Sequence, residues 1–288
     1  MSRGEYTAQW NPAVPARTLR LDDGTSLRYV RTGQGRPLLL LHTLRTQLDY
    51  FEQLVPRLAA GYDVIAVDLP GHGQSDIPKA AYDEPMFRAA IRELVVKLDL
   101  QDLTIAGESI GGVLALTLAA ELPERVARVV ALNPYDYGEE FGGGIRRARH
   151  GWIIGLYAIF GPYTIAPKPL LAAVMRGGFH DAQALPASLL DELHRTGLRP
   201  GYGRAQYALL KHWRSWEAAR SRYAGIRAPV TLVYGSDDWS NGAERERDRS
   251  GIPGARYFEI PAAGHFSALE APATVAGIIL ADQGGTTP

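Results

Sequence analysis

Residues Leu103 to Val113 read Leu-Thr-Ile-Ala-Gly-Glu-Ser-Ile-Gly-Gly-Val, a short apolar run, a tight turn and then an apolar, alanine-rich helical pattern. A chain that must pass from strand to helix in so few residues has little conformational freedom. Ser109, at the apex, is predicted to take a strained backbone conformation with its hydroxyl projecting from the turn. Gly107 and Gly111, two residues to either side, remove Cβ atoms that would otherwise collide. The serine also stands at the helix N-terminus, where free N–H groups and the macrodipole favour a developing negative charge. A G-x-S-x-G pentapeptide arises by chance in many chains, so its meaning depends on partners.

Two partners follow in order. Pro229 to Asp238 reads as a buried strand running into a carboxylate. Ala262-Ala-Gly-His265-Phe-Ser follows a further short strand, Arg256 to Ile260. Ser…Asp…His is one of three serine-triad chain orders, and it belongs to proteins with a strand–serine–helix elbow.

On these residues the chain resembles the α/β-hydrolase superfamily over nearly its whole length. Leu38 to His42 is similar to the strand that ends beside the oxyanion hole, and Asp68-Leu-Pro-Gly-His-Gly-Gln-Ser75 to the D-x-P-G-x-G-x-S loop. Phe266 to Pro272 resembles the segment that follows the histidine and leads into the last helix. The resemblance implies a mostly parallel central sheet flanked by helices, with an inserted helical cap.

Periodicity points the same way. Thr18 to Leu21 and Ser26 to Arg31 alternate around Asp22-Asp-Gly-Thr25, a hairpin pattern. Pro37 to His42, Val64 to Asp68 and Ala127 to Asn133 are continuous apolar runs, as parallel strands covered on both faces require. Phe87, Ile91, Leu94 and Leu98 recur at helical spacing, with Asp83 as N-cap and Pro85 in the first turn. Between Asn133 and Ile226 strand signals stop for about ninety residues, far beyond an ordinary connection. That stretch holds the apolar segment Trp152 to Ile165 and helical patterns at Ala187 to His194 and Ala205 to Ala219. Residues 1–134 and 228–288 are therefore expected to form the core, and 135–227 a helical cap. The tail Gln283 to Pro288 is expected to fray.

Composition narrows the function. The formal net charge is zero, so no basic field points to nucleic acid or to a membrane surface. With no cysteine there is no disulfide, thiolate metal site or cysteine nucleophile. The Trp152 to Ile165 stretch is shorter than the roughly 20 residues of a membrane span. Met1 to Pro12 carries no apolar signal-peptide region, so a cytoplasmic location is expected.

The resemblance assigns Ser109 as nucleophile and His265 as general base and then acid, a role that an imidazole titrating near 6.5 suits. For the acid, G-x-x-D spacing from Gly235 selects Asp238; Asp237 and Asp136 are the alternatives. His42 and His72 fall in loop-support positions. Oxyanion stabilisation is expected from the backbone N–H of Ile110 and, by alignment on His42, that of Leu44, with Thr43 the second candidate. Thr43 replaces the family's glycine, and its β-branch is expected to alter the hole's shape. Arg45 is either an anion-binding group or a loop arginine that is solvated or paired with a carboxylate. Glu108 either fixes the loop after His42, tunes the site or packs as a structural glutamate. Thr43, Arg45, Glu108, Trp239 and Phe266 are the candidate pocket residues. Trp152, Tyr157, Phe160, Tyr163, Trp213 and Trp216 make the cap aromatic, mostly through packing.

An aspartate elbow characterises haloalkane dehalogenases and the related epoxide hydrolases, so Ser109 disfavours both. The expected activity is hydrolysis of carboxylic esters of small to medium, largely apolar substrates through an acyl-enzyme, with no cofactor or metal. Meta-cleavage C–C hydrolases, lactonases, thioesterases and perhydrolases share these motifs. A small-molecule receptor on the same fold is the non-enzyme alternative.

Overall fold

Along Arg36–Leu41 and Tyr62–Val67, successive side chains alternate between two separate cores. Leu38, Leu40, Val64 and Ala66 enter one, and Leu39, Leu41, Ile65 and Val67 the other. Strand side chains point to opposite faces in turn, so a run that is apolar throughout needs cover on both faces. The computed structural model, which describes residues 7–147, 149–160 and 167–281, assembles such runs into an eight-stranded sheet. The side chain of Phe160, Tyr163 and the tail from Gln283 lie outside the described residues.

An antiparallel pair, β1 (Thr7–Ala8) and β2 (Asn11–Pro15), precedes the main sheet. The sheet comprises β3 (Arg17–Arg20), β4 (Ser26–Gly33), β5 (Arg36–Leu41), β6 (Tyr62–Val67) and β7 (Leu103–Glu108). It continues through β8 (Val126–Leu132), β9 (Val230–Gly235) and β10 (Arg256–Ile260). Its order is β10-β9-β8-β7-β5-β6-β4-β3, parallel except that β4 runs antiparallel to β3 and β6. After β5 the chain moves to β6 on one side, then returns to β7 on the other. Crevices for ligands form beyond the carboxyl ends of the strands at such a reversal. The two segments there are the loop after His42 and the turn at Ser109.

The core helices are α1 (Val55–Leu58), α2 (Glu84–Lys97) and α3 (Ile110–Glu121). Between β8 and β9 lie α4 (Trp152–Phe160), α5 (Lys168–Arg176), α6 (Ala187–Gly197), α7 (Tyr202–Lys211) and α8 (Arg214–Ala218). No strand occurs in that interval among the described residues. α9 (Gly242–Gly251), α10 (Ser267–Glu270) and α11 (Pro272–Ala281) complete the chain.

α3 is buried at every position from Ile110 to Ala119, so its all-round apolar sequence matches its place inside one core. Each of its leucines contributes about 1.5–3 kcal/mol by burial. α2 starts as its sequence predicts: the Asp83 carboxylate accepts from the Met86 N–H at 3.1 Å, a cap whose removal costs about 1 kcal/mol.

The helical pattern at Ala205 to Ala219 departs from expectation, because α7 ends at Lys211 and α8 starts afresh at Arg214. Trp213 lies at the break, buried, its Nε1 donating to the Tyr137 carbonyl at 3.1 Å and its ring 4.4 Å from that of Tyr135. Burying this indole outweighs two or three residues of helix continuity. No helix among the described residues is long and apolar enough to cross a membrane.

Candidate active site

The strained serine is present. Ser109 has φ 61° and ψ −120°, in the positive-φ region that costs an L-residue of order 1–3 kcal/mol. Its neighbours permit the turn: a Cβ on Gly107 would lie 2.1 Å from the Gly111 carbonyl oxygen, and one on Gly111 2.1 Å from that of Leu41. The Ser109 N–H donates to Leu132 O at 2.9 Å, pinning the apex to the end of β8.

The Ser109 hydroxyl lies 2.9 Å from His265 Nε2, and His265 Nδ1 lies 2.5 Å from Asp238 Oδ1. Asp238 Oδ2 accepts from the Ser240 N–H at 2.9 Å and from the Ser240 hydroxyl. Burial opposes ionisation of Asp238, but His265 and the two Ser240 bonds prevail and hold its carboxyl below the usual carboxylate range. Of the alternative acids, Asp237 is exposed and bonds His180 Nδ1 at 2.7 Å, whereas Asp136 accepts from the Tyr223 hydroxyl at 2.6 Å. Only Asp238 of the three meets His265.

The imidazole is held on several sides. Trp239 stacks on its face with centroids 3.9 Å apart and planes 16° from parallel, while the Tyr135 and Phe266 rings each lie 5.5 Å away. The His265 N–H donates to Gly178 O at 2.7 Å, and Trp239 Nε1 to Gly177 O at 3.2 Å. Both bonds tie the histidine's surroundings to the connection after α5.

The loop after β5 is organised by His42. Leu69 N–H donates to His42 Nε2 at 3.0 Å, which leaves Nδ1–H to donate to the Thr43 carbonyl at 2.8 Å. The Thr46 hydroxyl donates to the same carbonyl at 2.8 Å. Burial lowers the His42 pKa to about 4, so the ring stays neutral and keeps this tautomer. In a planar trans peptide the N–H opposes the C=O, so fixing the Thr43 carbonyl also fixes the Leu44 N–H. Thr43 does not take a positive φ; the left-handed residue of this loop is Arg45, at φ 61°. The replacement of glycine by threonine therefore carries no backbone strain of that kind. At the other side, Ile110 opens α3, and the first N–H groups of a helix have no intrahelical acceptor.

Thr43, Leu44, Arg45, Ser109, Trp239 and Phe266 wall one cavity of about 20 Å³, room for roughly one water. The rest of its lining is apolar apart from the Tyr135 side chain and includes Ile145, Ile154, Leu171, Val174, Met175 and Leu210. These six come from the long interval between β8 and β9, and none carried a sequence signal beyond being apolar. Of the aromatics there, Trp213 and Trp216 are packed inside, while Trp152 is 61% exposed.

Glu108, a candidate pocket residue, does not line the cavity. β7 turns its side chain into the core behind Ser109, fully buried. It accepts from the Tyr50 hydroxyl, from Ser267 N–H at 2.7 Å and Oγ at 2.5 Å, and from Asn133 Nδ2 at 3.1 Å. Burial raises its carboxyl above the usual range against the pull of these donors. Asn133 in turn donates to the His265 carbonyl at 3.1 Å and accepts from Gly235 N–H at 2.8 Å. Glu108 and Asn133 thus join the segments that carry Ser109, Asp238 and His265. Asn133, Ser267 and Tyr50 were not legible as site residues, although a lone Asn ending an apolar strand was the available cue. Among the described residues no group of three or more His, Asp and Glu side chains forms a metal-ligand set.

Comparison with known proteins places the chain in a family. The chain is 28% identical over 253 residues to a dihydrolipoyllysine-residue acetyltransferase component of an acetoin cleaving system from Cupriavidus necator. That match covers 86% of this chain but only 64% of the relative's length. An enol-lactonase from Burkholderia xenovorans superposes with a TM-score of 0.76 at 22% identity, covering 92% of this chain and 98% of the other. A meta-cleavage product hydrolase from Pseudomonas fluorescens does so with a TM-score of 0.78 at 19% identity, covering 94% and 98%. At such identities these two structures establish the fold alone. The family model for the alpha/beta hydrolase fold matches residues 36–272, and the chain belongs to that family.

Proposed function

We propose that the protein is a serine hydrolase that cleaves carboxylic esters of small to medium, largely apolar substrates through an acyl-enzyme. The observation that carries this reading is the Asp238–His265–Ser109 hydrogen-bonded chain opening on an apolar cavity. Ser109 Oγ attacks the ester carbonyl carbon while His265 Nε2 takes its proton. The tetrahedral oxyanion is met by the Ile110 and Leu44 N–H groups. Collapse expels the alcohol, which receives the proton from His265. Water, deprotonated by His265, then attacks the acyl-enzyme, releasing the carboxylic acid and restoring Ser109. Asp238, held ionised, orients His265 and stabilises its imidazolium.

Residues 135–227 act as a cap in this scheme, closed over Ser109 by α4, α5 and α7. A cavity of about 20 Å³ admits no ester, so substrate entry requires these helices to move outward. A lactone is a cyclic ester, and its hydrolysis is the same reaction with a tethered leaving group.

Hydrolysis of p-nitrophenyl esters from acetate to decanoate, compared between wild type and Ser109→Ala, tests the proposal. Turnover in the wild type within about 1–10³ s⁻¹, reduced by roughly 10⁵–10⁶ in the variant, is expected. Undiminished hydrolysis by a folded Ser109→Ala protein refutes it. A slow stoichiometric burst from the wild type shifts the reading to C–C bond hydrolysis or to ligand reception.

A further inference from the structure

Among the described residues, the buried and half-buried arginines have anionic or carbonyl partners, with one exception. Arg28 meets Asp49 and Asp68, Arg88 meets Glu84 and Glu121, and Arg245 meets Glu259. Arg128 donates to the Ile278 and Ile279 carbonyls, and Arg199 to those of Gly73 and Ser75. Arg45 is half-buried and has no carboxylate within ion-pair distance among the described residues. Its guanidinium carbon lies 5.9 Å from the Tyr157 ring centroid, and the Tyr202 hydroxyl is its polar neighbour. Its Nε is shut off from solvent with no hydrogen-bond partner.

Arg45 is one of the residues that line the same cavity as Ser109, among walls that are otherwise almost wholly apolar, and its guanidinium lies toward Tyr157 and Tyr202. Its backbone sits at φ 61°, in the left-handed region, immediately after the Leu44 N–H assigned to the oxyanion. An arginine at strained backbone, with an unsatisfied buried N–H, in a loop that borders the cavity of Ser109 is unfavourable for folding and needs another reason to stand there.

We infer that Arg45 is the specificity determinant of this site and selects substrates that carry one carboxylate on an otherwise apolar body. A planar carboxylate matches the guanidinium fork, and one unit of negative charge balances one arginine. A phosphate dianion would leave a surplus charge against apolar walls. The inference rests on Ser109 marking the reactive end of the cavity, which the ester-hydrolase reading also uses, and it narrows that reading to half-esters and carboxylate-bearing lactones.

Equilibrium binding to the Ser109→Ala protein separates the two. The probes are p-nitrophenyl hydrogen adipate, a monoanion at neutral pH, and its uncharged methyl ester. The monoanion is expected to bind at least about tenfold more tightly, with the preference shrinking as NaCl is raised. In Ser109→Ala/Arg45→Gln the ratio of the two dissociation constants should fall to about one. In Ser109→Ala/Arg45→Lys, which keeps the charge and loses the fork, it should be intermediate. The lysine variant also reads the ratio should the glutamine variant fail to fold. Equal binding of both probes, binding of neither, or a preference that survives Arg45→Gln overturns the inference. Ester hydrolysis lost in Ser109→Ala alongside an absent preference refutes this inference alone. A preference alongside Ser109-independent hydrolysis refutes the ester-hydrolase reading alone.

Discussion

Asp238 and Asp136 stand just beyond the ends of neighbouring parallel strands, β9 and β8, and both are buried. Around Asp238 the protein supplies His265 and two Ser240 donors, and the carboxyl is held below its ordinary range. Around Asp136 it supplies the Tyr223 hydroxyl and a second carboxyl, Asp248, which itself accepts from Tyr234 at 2.6 Å. Burial pushes Asp136 up to about 6 against the pull of Tyr223, and burial with the charge of Asp136 pushes Asp248 well above the usual carboxylate range. Two acids at hydrogen-bonding reach need a proton between them. Equivalent positions on the sheet thus produce one fixed anion and one proton-sharing pair. The difference lies in the donors that face each group, and depth of burial does not separate them.

The largest expected effect tests that contrast by activity. Asp238→Asn frees His265 to adopt the wrong tautomer, and kcat on the ester series is expected to fall by about 10⁴. Asp136→Asn, whose side chain bonds Tyr223, should change kcat by less than about tenfold. Losses of similar size would erase the distinction.

A third buried carboxylate sharpens it. Glu108→Gln replaces an acceptor of several bonds with a side chain that must also donate, which disturbs the hold on Asn133 and Ser267. Displacement of His265 relative to Ser109 should lower kcat by about 10²-fold with little change in KM. A KM effect alone would point to the cavity and away from this hub.

The smallest effect is on stability, and it depends on pH. The folded protein keeps a proton on Asp136 between about 4 and 6 that the unfolded chain, with a carboxyl near 3.8, has released. The unfolded state therefore binds fewer protons, and this group's contribution to stability falls as pH rises through that window. Asp248→Asn supplies an amide donor to Asp136 and removes the need for the shared proton. The variant should match wild type near pH 4 and gain about 1–2 kcal/mol by pH 8, measured by Tm at each pH. A gain that is constant across pH would dismiss the proton-sharing pair.

Much of the framework was legible in the chain. The apolar runs at 37–42 and 64–68 are strands because only two-sided cover tolerates such sequences, and the Asp83 cap marks the start of α2 within one residue. Ser109, Asp238 and His265 were nameable because each sits at a strand end with a local signature. Local signatures did not extend further. The pattern at 205–219 hid a break, since Trp213 responds to Tyr135 and Tyr137, which lie far away in sequence.

The sequence by itself determined which backbone segments become strands and helices, and which turn forces a serine outward. Those outcomes rest on interactions within a few residues: periodicity, capping and the missing Cβ atoms of Gly107 and Gly111. Only the tertiary structure decided that Glu108 faces the core and not the cavity. It alone brought Arg45 to the lining of the Ser109 cavity with no carboxylate at ion-pair distance among the described residues, and set Asp136 against Asp248. Charge and hydrogen-bond satisfaction depend on what the fold brings near from distant parts of the chain, and no local pattern encodes that.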